Sequence, residues 1–292
     1  MANSIELFKK NAPELLDKVY QSASTTADFD IDGALVRAGA NANEIIVPKL
    51  EMDGLADYDR NSGYTDGDVS LTNETVQFDY ERGRKLQTDV IDDEETGGVI
   101  MANLSSEFVR TKVVPEVDAV RYAKYASMEN ITDVAPSGIT YKDGEEVLNA
   151  IADTMAKMTN DEVPTEGRYL RITSALYNSA KFVARTTNND ILNEFENIKV
   201  VPQKRFQTSV ELLDGKTSGE EKGGIKVAEG SKDINFMIIH KPALLQYTKH
   251  AKMKIFNPEQ DQDGDRYKML YRLYGLNEVY ENKRAGIAVS HK

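Results

Sequence analysis

Apolar side chains recur at helical intervals between Asn103 and Asn130, and this segment is the strongest helix prediction in the chain. Pro115 lies inside it, and because proline lacks a backbone N–H, we expect a kink or a restart of the helix between Val113 and Glu116. The segment could form about 40 Å of helix at ~1.5 Å per residue, so it needs a surface on which to pack. The apolar positions are Leu104, Phe108, Val113, Val117 and Val120, and the charged residues Glu107, Arg110, Asp118, Arg121 and Lys124 fall mostly on the other side.

Two neighbouring segments, Val69–Tyr80 and Arg84–Ile91, alternate apolar or β-branched residues with polar ones, which predicts two strands. Glu81-Arg82-Gly83 would supply the turn between them. The resulting hairpin is polar on both faces. Because a two-stranded hairpin is only marginally stable in water without a surface to pack on, we expect it to extend toward a neighbouring molecule.

The segment before this hairpin contains few large apolar residues. Ser22–Asp68 is rich in Ala, Asn, Asp and Gly, with one strand-like stretch at Glu44–Leu50, and we interpret it as an extended arm without a core of its own. Residues 4–22 predict two short helices that meet near Pro13. After the hairpin, the acidic run 92–95 is typical of the start of a helix, which would begin near Thr96.

The remainder of the chain alternates helices and strands irregularly and has no βαβ repeat, which predicts an α+β fold with long appendages. In chain order we predict a helix at Gly144–Met158, a strand at Arg168–Ile172, a helix capped by Thr173 or Ser174, a strand-like segment at Lys199–Leu213, a mobile loop at Asp214–Gly230, a strand at Ile234–Ile239, a short helix at Pro242–Thr248, a loop within Lys254–Asp265, and strands at Leu270–Tyr280 and Ala285–Ser290.

Charge and composition exclude several classes of function. The 36 basic and 48 acidic residues give a net charge of -12 without a sustained basic stripe, so direct binding to a nucleic-acid backbone is not expected. The absence of cysteine removes disulfides, thiolate metal sites and cysteine nucleophiles. No segment is long and apolar enough to span a bilayer, and the chain starts with an amphipathic helix pattern rather than a signal peptide, so we expect a soluble, intracellular protein without a membrane partner.

Two acidic runs are candidates for metal chemistry. Asp28, Asp30 and Asp32 match the first half of a calcium-binding loop, but the twelfth position, normally glutamate, is Gly39. The similar run 259–265 has leucine in that position, so polar turns explain both runs better. The three histidines lack zinc-site spacing, and no nucleophile or phosphate-binding motif is present. We expect no enzyme activity, catalytic residue, metal or cofactor, and the alternative left open is a calcium-dependent binding protein or hydrolase.

Tyrosines are concentrated near the C-terminus, at Tyr267, Tyr271, Tyr274 and Tyr280. Amphipathic aromatic residues are enriched at protein interfaces, but they suit a core or a sheet surface equally well. Both interpretations remain open from these residues alone.

Four blocks of sequence, in their order and spacing, resemble the major capsid proteins of tailed double-stranded DNA bacteriophages, which have the Hong Kong 97-type fold. The blocks are LADYDRNSGYTDGDVSLTNETVQFDYERGRKLQTDVIDDEET (55–96), VRTKVVPEVDAVRYAKYA (109–126), VPTEGRYLRITSALYNSAKF (163–182) and INFMIIHKPALLQYTKHAKMKIFNP (234–258), followed by the tyrosine-bearing end YRLYGLNEVYENKRAGIAV. The resemblance covers nearly the whole chain.

The resemblance implies a division of the chain into an N-terminal arm (1–68), a β-hairpin called the E-loop (69–93), a spine helix with part of the peripheral domain (94–141), a mainly axial domain (142–264) and C-terminal strands of the peripheral or axial sheet (265–292). It also implies a structural protein of the virion, assembled in the bacterial host cytoplasm. Hexamers and pentamers would form an icosahedral shell that holds a portal protein and encloses double-stranded DNA without specific binding. The subunit-interface residues expected from it are Val76, Phe78, Arg82, Arg84, Lys85, Tyr274 and Tyr280.

Two departures from the family pattern limit what the resemblance implies. Many relatives begin with a long scaffolding segment that is removed, whereas the arm here starts near Ser22, which implies a separate scaffolding protein or a short processed leader. Some relatives crosslink an E-loop lysine to an asparagine of a neighbouring subunit. Lys85 lies in the corresponding region and Asn277 or Asn282 is a candidate partner, but no full triad matches. An encapsulin, a bacterial compartment shell of the same fold, is the nearest alternative.

Overall fold

The computed structural model describes residues 23–31, 37–38, 44–95, 104, 106–128 and 135–292. The predicted helices within residues 4–22 and both ends of the Asn103–Asn130 helix lie outside these residues. The predicted helix start near Thr96 is wrong, because the acidic run 92–95 already belongs to a helix that begins at Val90. The strands are β1 (Arg37–Ala38), β2 (Glu44–Met52), β3 (Val69–Gln77), β4 (Tyr80–Asp89), β5 (Arg168–Thr173), β6 (Asn197–Val201), β7 (Val210–Leu213), β8 (Gly224–Val227), β9 (Ile234–His240), β10 (Leu244–Phe256), β11 (Arg266–Val279) and β12 (Ile287–His291). The helices are α1 (Val90–Glu95), α2 (Val114–Ala126), α3 (Gly144–Asn160) and α4 (Ser174–Thr187), which confirms a mixed α+β fold.

A four-stranded sheet in the order β12-β9-β5-β6 forms the centre of the body. β5 and β6 are parallel, and the other pairs are antiparallel. All six residues of β5 are buried, because both faces of the sheet are covered. Leu170 and Ile172 belong to the core that includes α3 and α4, whereas Tyr169 belongs to a second core with Tyr122 and Tyr125 of α2.

Helices α3 and α4 cover one face of this sheet, and both were predicted from the sequence. The Asp143 side chain caps α3 by accepting hydrogen bonds from the backbone N–H groups of Glu145 and Glu146, each at 3.0 Å. Gly144 is needed where the two helices meet, because a Cβ there would overlap the carbonyl of Ser179. The first residue of α3 therefore packs directly on the backbone of α4.

The predicted hairpin is wrong in its pairing, although both of its strands exist. β3 pairs with β2, while β4 pairs with β11 in a separate three-stranded sheet of order β10-β11-β4. The chain passes from one sheet to the other at Phe78, which is buried, instead of reversing at residues 81–83. Gly83 lies within β4, where an added Cβ would come 2.9 Å from the carbonyl oxygen of Tyr271, so its lack of a side chain serves strand packing rather than a turn.

The predicted kink or restart of the long helix near Pro115 corresponds to a local irregularity in a continuous helix. A wide π turn runs over Val109–Val113, closed by the N–H of Val114 donating to the carbonyl of Val109, and α2 then begins with Pro115 in its first turn. Proline has no N–H to donate to the carbonyl of Thr111, so the regular α-helical bond is missing at this point. The helix continues past this point because a π turn is closed by hydrogen bonds between residues five apart.

The predicted buried face of this helix is wrong. α2 buries Asp118, Ala119, Arg121, Tyr122, Ala123, Tyr125 and Ala126, whereas Val113, Val117 and Val120 are only half-buried. The charged side chains are buried because residues 24–30 lie against them and supply partners.

Two further predictions in the C-terminal half are corrected. Pro242 belongs to a short 3-10 turn, Lys241–Ala243, and the chain then continues as β10 instead of a helix. The predicted loop within Lys254–Asp265 is confirmed, since β10 ends at Phe256 and β11 begins at Arg266. The predicted mobile loop Asp214–Gly230 contains β8, which pairs with β7.

Candidate subunit interface

The chain builds an extended two-stranded ribbon from β2 and β3, which pair from Glu44 opposite Gln77 to Met52 opposite Val69. Strands of this length span about 30 Å at ~3.4 Å per residue. Apart from half-buried Gly63, every residue from 50 to 73 is exposed. The outer half of the β2–β3 ribbon, with its connecting loop, therefore projects from the body into solvent.

The outer half of the ribbon has one apolar face. Leu50 lies opposite Leu71, and Met52 lies opposite Val69, so these four side chains share a side of the ribbon. They are between 54% and 66% exposed. We call them the apolar patch. The sequence analysis described the hairpin predicted from residues 69–80 and 84–91 as polar on both faces. The patch forms because β2, and not β4, pairs with β3 and adds Leu50 and Met52 beside it.

The loop at the end of the ribbon, residues 53–68, is folded on itself and acidic. Asp59 and Gly63 exchange backbone hydrogen bonds, and the Asp59 side chain accepts from the backbone N–H groups of Asn61 and Ser62, which lowers the pKa of that carboxyl. The rings of Tyr58 and Tyr64 meet edge to face with centroids 4.8 Å apart. The loop contains five aspartates and one arginine.

The base of the ribbon is fixed by a small core of Ile45, Phe78, Leu245 and Leu276. Four of the predicted interface residues meet here. Phe78 stacks on Tyr274 with ring centroids 4.9 Å apart, and half-buried Val76 and Tyr280 pack against the same core. Burial, with a smaller contribution from Glu74, raises the pKa of Tyr280. Within the subunit these residues hold the ribbon on the body.

The three predicted basic residues of β4 lie along one edge of the body. Arg82 pairs with Glu116 of α2 at 2.7 Å and donates to the carbonyl of Leu213 at 2.8 Å. Arg84 donates to the carbonyl of Glu221 in the loop between β7 and β8, at 2.8 Å. Lys85 is exposed, opposite Leu270 of β11. Arg82 and Arg84 thus connect β4 to the β7–β8 hairpin.

Of the two candidate crosslinking asparagines, Asn277 is buried and accepts a hydrogen bond from the Arg121 Nε at 2.9 Å. Asn282 is exposed. In the folded subunit, only Asn282 is therefore accessible to a neighbouring lysine.

A buried polar cluster, which the sequence analysis missed, fixes residues 24–30 to the body. The fully buried Asp118 carboxylate accepts hydrogen bonds from the Ser24 hydroxyl at 2.8 Å, the Thr25 backbone N–H at 2.9 Å and the Thr26 hydroxyl at 2.7 Å. Arg205 pairs with it at 3.1 Å. A buried carboxylate requires this number of partners. We call this cluster, with Arg121 and Arg171, the polar anchor.

Two arginines of the polar anchor connect residues 24–30 to α2 and to β5. Arg121 pairs with Asp30 at 3.0 Å, and fully buried Arg171 of β5 pairs with Asp28 at 2.7 Å. Lys199 also reaches Asp28, at 3.1 Å. Burial acts to raise the pKa of Asp28, but the charges and hydrogen bonds of Arg171 and Lys199 outweigh it, so the pKa lies below its usual value of 3.8.

Carboxylates of both acidic runs that resemble calcium loops pair with basic side chains. Asp28 and Asp30 pair with arginines, and Asp32 lies outside the described residues. In the second run, Asp261 and Asp263 both pair with Lys268. Within the described residues no group of three or more acidic or histidine side chains is arranged to hold a metal ion. None of the helices in the described part of the chain has the length and apolar character to cross a membrane.

No family model matches the sequence, and no curated protein matches it. Solved structures match along nearly the whole chain. A chain of Mycobacterium phage Che8 matches with a TM-score of 0.66 at 16% identity, covering 99% of this chain and 98% of that chain. The mature capsid of bacteriophage PhiM1 matches with a TM-score of 0.65 at 10% identity, covering 99% and 92%.

A virus-like particle from Pyrococcus furiosus matches less closely, with a TM-score of 0.51 at 13% identity, covering 85% of this chain and 86% of that chain. At these identities the likeness shows the fold. The chain therefore has the fold found in phage capsid structures.

Proposed function

We propose that this protein is the major capsid protein of a tailed double-stranded DNA bacteriophage, a structural protein of the virion that forms an icosahedral shell by self-assembly. The observation that carries the proposal is the match of the whole chain, ribbon included, to phage capsid structures. A match confined to the central sheet would leave the function open, because one fold hosts many functions.

The β2–β3 ribbon supports a role in assembly. Monomeric proteins rarely leave a contiguous set of large apolar side chains exposed, and such patches mark interaction sites. The apolar patch lies on an element that projects from the body, so a contact with a second copy can bury it. Contacts of this kind, from one patch to a different surface on the next copy, generate closed rings.

The parts of the chain correspond to the named parts of the capsid family, except that the E-loop has different bounds from those expected. The ribbon of residues 44–77, rather than the segment 69–93, serves as the E-loop, because β3 pairs with β2. α2 with the π turn serves as the spine helix, and the central sheet with α3 and α4 forms most of the axial domain. The strands of 265–292 are divided between the two main sheets.

The partners of the shell follow from this role. Copies of the protein form hexamers and pentamers in the host cytoplasm, assisted by a separate scaffolding protein and joined to a portal. Double-stranded DNA is enclosed without specific binding, in agreement with the net charge of -12. The subunit has no catalytic role and no cofactor in this function.

The two alternatives have less support. A calcium-dependent protein would need free carboxylates, but Asp28, Asp30 and Asp261 are all paired with basic side chains. An encapsulin shares the fold, and the nature of the contents separates it from a phage shell. Double-stranded DNA inside purified shells supports the phage capsid, whereas a packaged cargo protein supports the encapsulin.

Shortening the ribbon tests the role in assembly. Replacing residues 50–71 by Asn-Gly would join the directly paired Lys49 and Thr72 through a two-residue hairpin turn and remove the exposed patch. The base of the ribbon, including Ile45 and Phe78, is retained, so we expect a folded subunit that forms no shells. Circular dichroism and electron microscopy measure the two properties, and normal shells from this variant would contradict the proposed role of the ribbon.

A further inference from the structure

A partly open cavity of about 530 Å³ lies within the subunit between three elements. β4 and β11 form its floor, the π turn of the long helix forms one wall, and the β7–β8 hairpin forms the other. Arg82 and Arg84 hold this hairpin beside β4 through hydrogen bonds to its backbone carbonyls. The volume falls in the range of roughly 300–1,000 Å³ that is typical of small-molecule pockets. The cavity is therefore built by the fold and has room for a small ligand.

The interior of the cavity is largely apolar. Leu86, Phe108, Val113 and Leu213 line it and are only half-buried. Each of these side chains still presents hydrocarbon surface to water, and an alkyl chain placed among them would remove that surface from water. The interior thus favours a hydrocarbon chain over a polar ligand.

The charges that line the cavity favour an anion. Lys112 and Lys222 are exposed, and neither has a carboxylate partner among the described residues. The carboxylates of the lining already have partners inside the chain, so they do not compete for these two ammonium groups. The pairs are Glu107 with Arg110, Glu116 with Arg82, and Asp214 with the Thr217 hydroxyl.

Tyr271 adds a hydrogen-bond donor to the same cavity. Its side chain belongs to the lining, and its hydroxyl has no hydrogen-bond partner in the part of the chain that the structure describes. Burial raises the pKa of this phenol, so it stays protonated at neutral pH and can donate. The ring is positioned by Phe108, which it meets edge to face with centroids 5.8 Å apart. Two ammonium groups and one O–H donor are thus available to a ligand.

We propose that this cavity binds a small amphiphilic anion, with its apolar chain among the half-buried side chains and its acidic head group held by Lys112 and Lys222. A fatty acid of roughly 10 carbons is the simplest member of this class and suits a pocket of this volume. The hydrocarbon lining supplies most of the driving force, and the lysines select the sign of the charge. The site lies within one subunit, so the proposal does not depend on the proposed function.

Isothermal titration calorimetry of the purified protein with decanoate, below the concentration at which it forms micelles, tests the site. We expect saturable binding of one decanoate per subunit. Octanoate should bind more weakly by about fourfold for each methylene that it lacks. Decanol and decyltrimethylammonium carry the same chain without the anionic head group, and both should bind at least about tenfold more weakly than decanoate. Equal affinity for decanoate and decyltrimethylammonium would overturn the proposal.

Two variants locate the binding. Leu213→Trp places a larger side chain in the interior, and Lys112→Ala combined with Lys222→Ala removes the two unpaired charges from the surface without touching a core. Each should weaken the binding of decanoate by about tenfold or more. The control is Lys226→Ala, because Lys226 is exposed on the same hairpin but does not line the cavity, and it should bind like the natural protein.

Circular dichroism establishes that each variant is folded. If Leu213→Trp does not fold, the double lysine variant still decides the outcome, since both of its positions are exposed. Absence of saturable binding to the natural protein, or full affinity in either folded variant, would overturn the site. Neither result bears on assembly, so the proposed function would stand.

Discussion

The polar anchor gives the sharpest prediction about stability. In Asp118→Ala, buried Arg205 loses the carboxylate with which it pairs at 3.1 Å, and the hydroxyls of Ser24 and Thr26 lose their acceptor. Removing one member of a buried ion pair typically costs about 3–5 kcal/mol, because the other charge stays buried without that partner. We expect a loss of that size in the free energy of unfolding of the unassembled subunit.

A second route could make this loss smaller. Residues 24–30 could detach and rehydrate, which would relieve the unsatisfied groups but expose Phe29, now fully buried. Exposing one phenylalanine costs about 1.5–3 kcal/mol, and the contacts of Asp28 and Asp30 would be lost with it. The subunit takes whichever route costs less, so the effect cannot greatly exceed about 5 kcal/mol.

Urea unfolding followed by circular dichroism measures this effect. Asp153→Ala serves as the control, because Asp153 is exposed on α3 and should change stability by less than about 0.5 kcal/mol. Arg205→Met should also destabilise the subunit, and the double variant Asp118→Ala with Arg205→Met should lose about 1.5 kcal/mol less than the sum of the two single losses. A loss below about 1 kcal/mol for Asp118→Ala, or simple additivity, would refute the reasoning.

Two further predictions concern helix packing and acid stability. Gly144→Ala should destabilise the subunit by about 1–3 kcal/mol in urea unfolding, since its Cβ would overlap the Ser179 carbonyl, while Gly54→Ala has free space and should be nearly neutral. Asp28 has a folded-state pKa below 3.8, so its contribution to stability is present above about pH 4 and is lost as the pH falls through the folded pKa. The difference in urea midpoint between the natural protein and Asp28→Asn should therefore shrink below about pH 4, and a pH-independent difference would contradict this assignment.

Local patterns predicted several elements well. The apolar spacing of α3 and the irregularity at Pro115 are both properties of a few neighbouring residues, and the structure confirms them. The buried strand β9 was also predicted, because a continuous apolar run is typical of a strand covered on both faces.

Strand pairing was not predictable in the same way. The alternation of β3 shows that it is a strand, but not whether its partner is β4 nearby or β2 across the acidic loop. Gly83 fits a turn and also fits close contact with Tyr271, and only the arrangement of the sheet decides between them. The apolar patch, and with it the best candidate interface, depended on that pairing.

The polar anchor was missed because its partners are remote in sequence. Asp118 and Arg121 on an amphipathic helix indicate a solvent-exposed face unless other groups neutralise them. Those groups come from Thr26 and Asp30, in a segment with few large apolar residues. Phe29 is a local signal that this segment joins the core, because a phenylalanine in a polar segment needs a surface to pack on.

Electron microscopy of the purified protein, alone and coexpressed with the neighbouring genes of its source, tests the central claim most directly. We predict rings of five or six subunits or closed icosahedral shells, with the β2–β3 ribbon of each subunit lying on the next copy. A uniform population of single subunits under every condition would contradict the assignment of this protein as a capsid subunit.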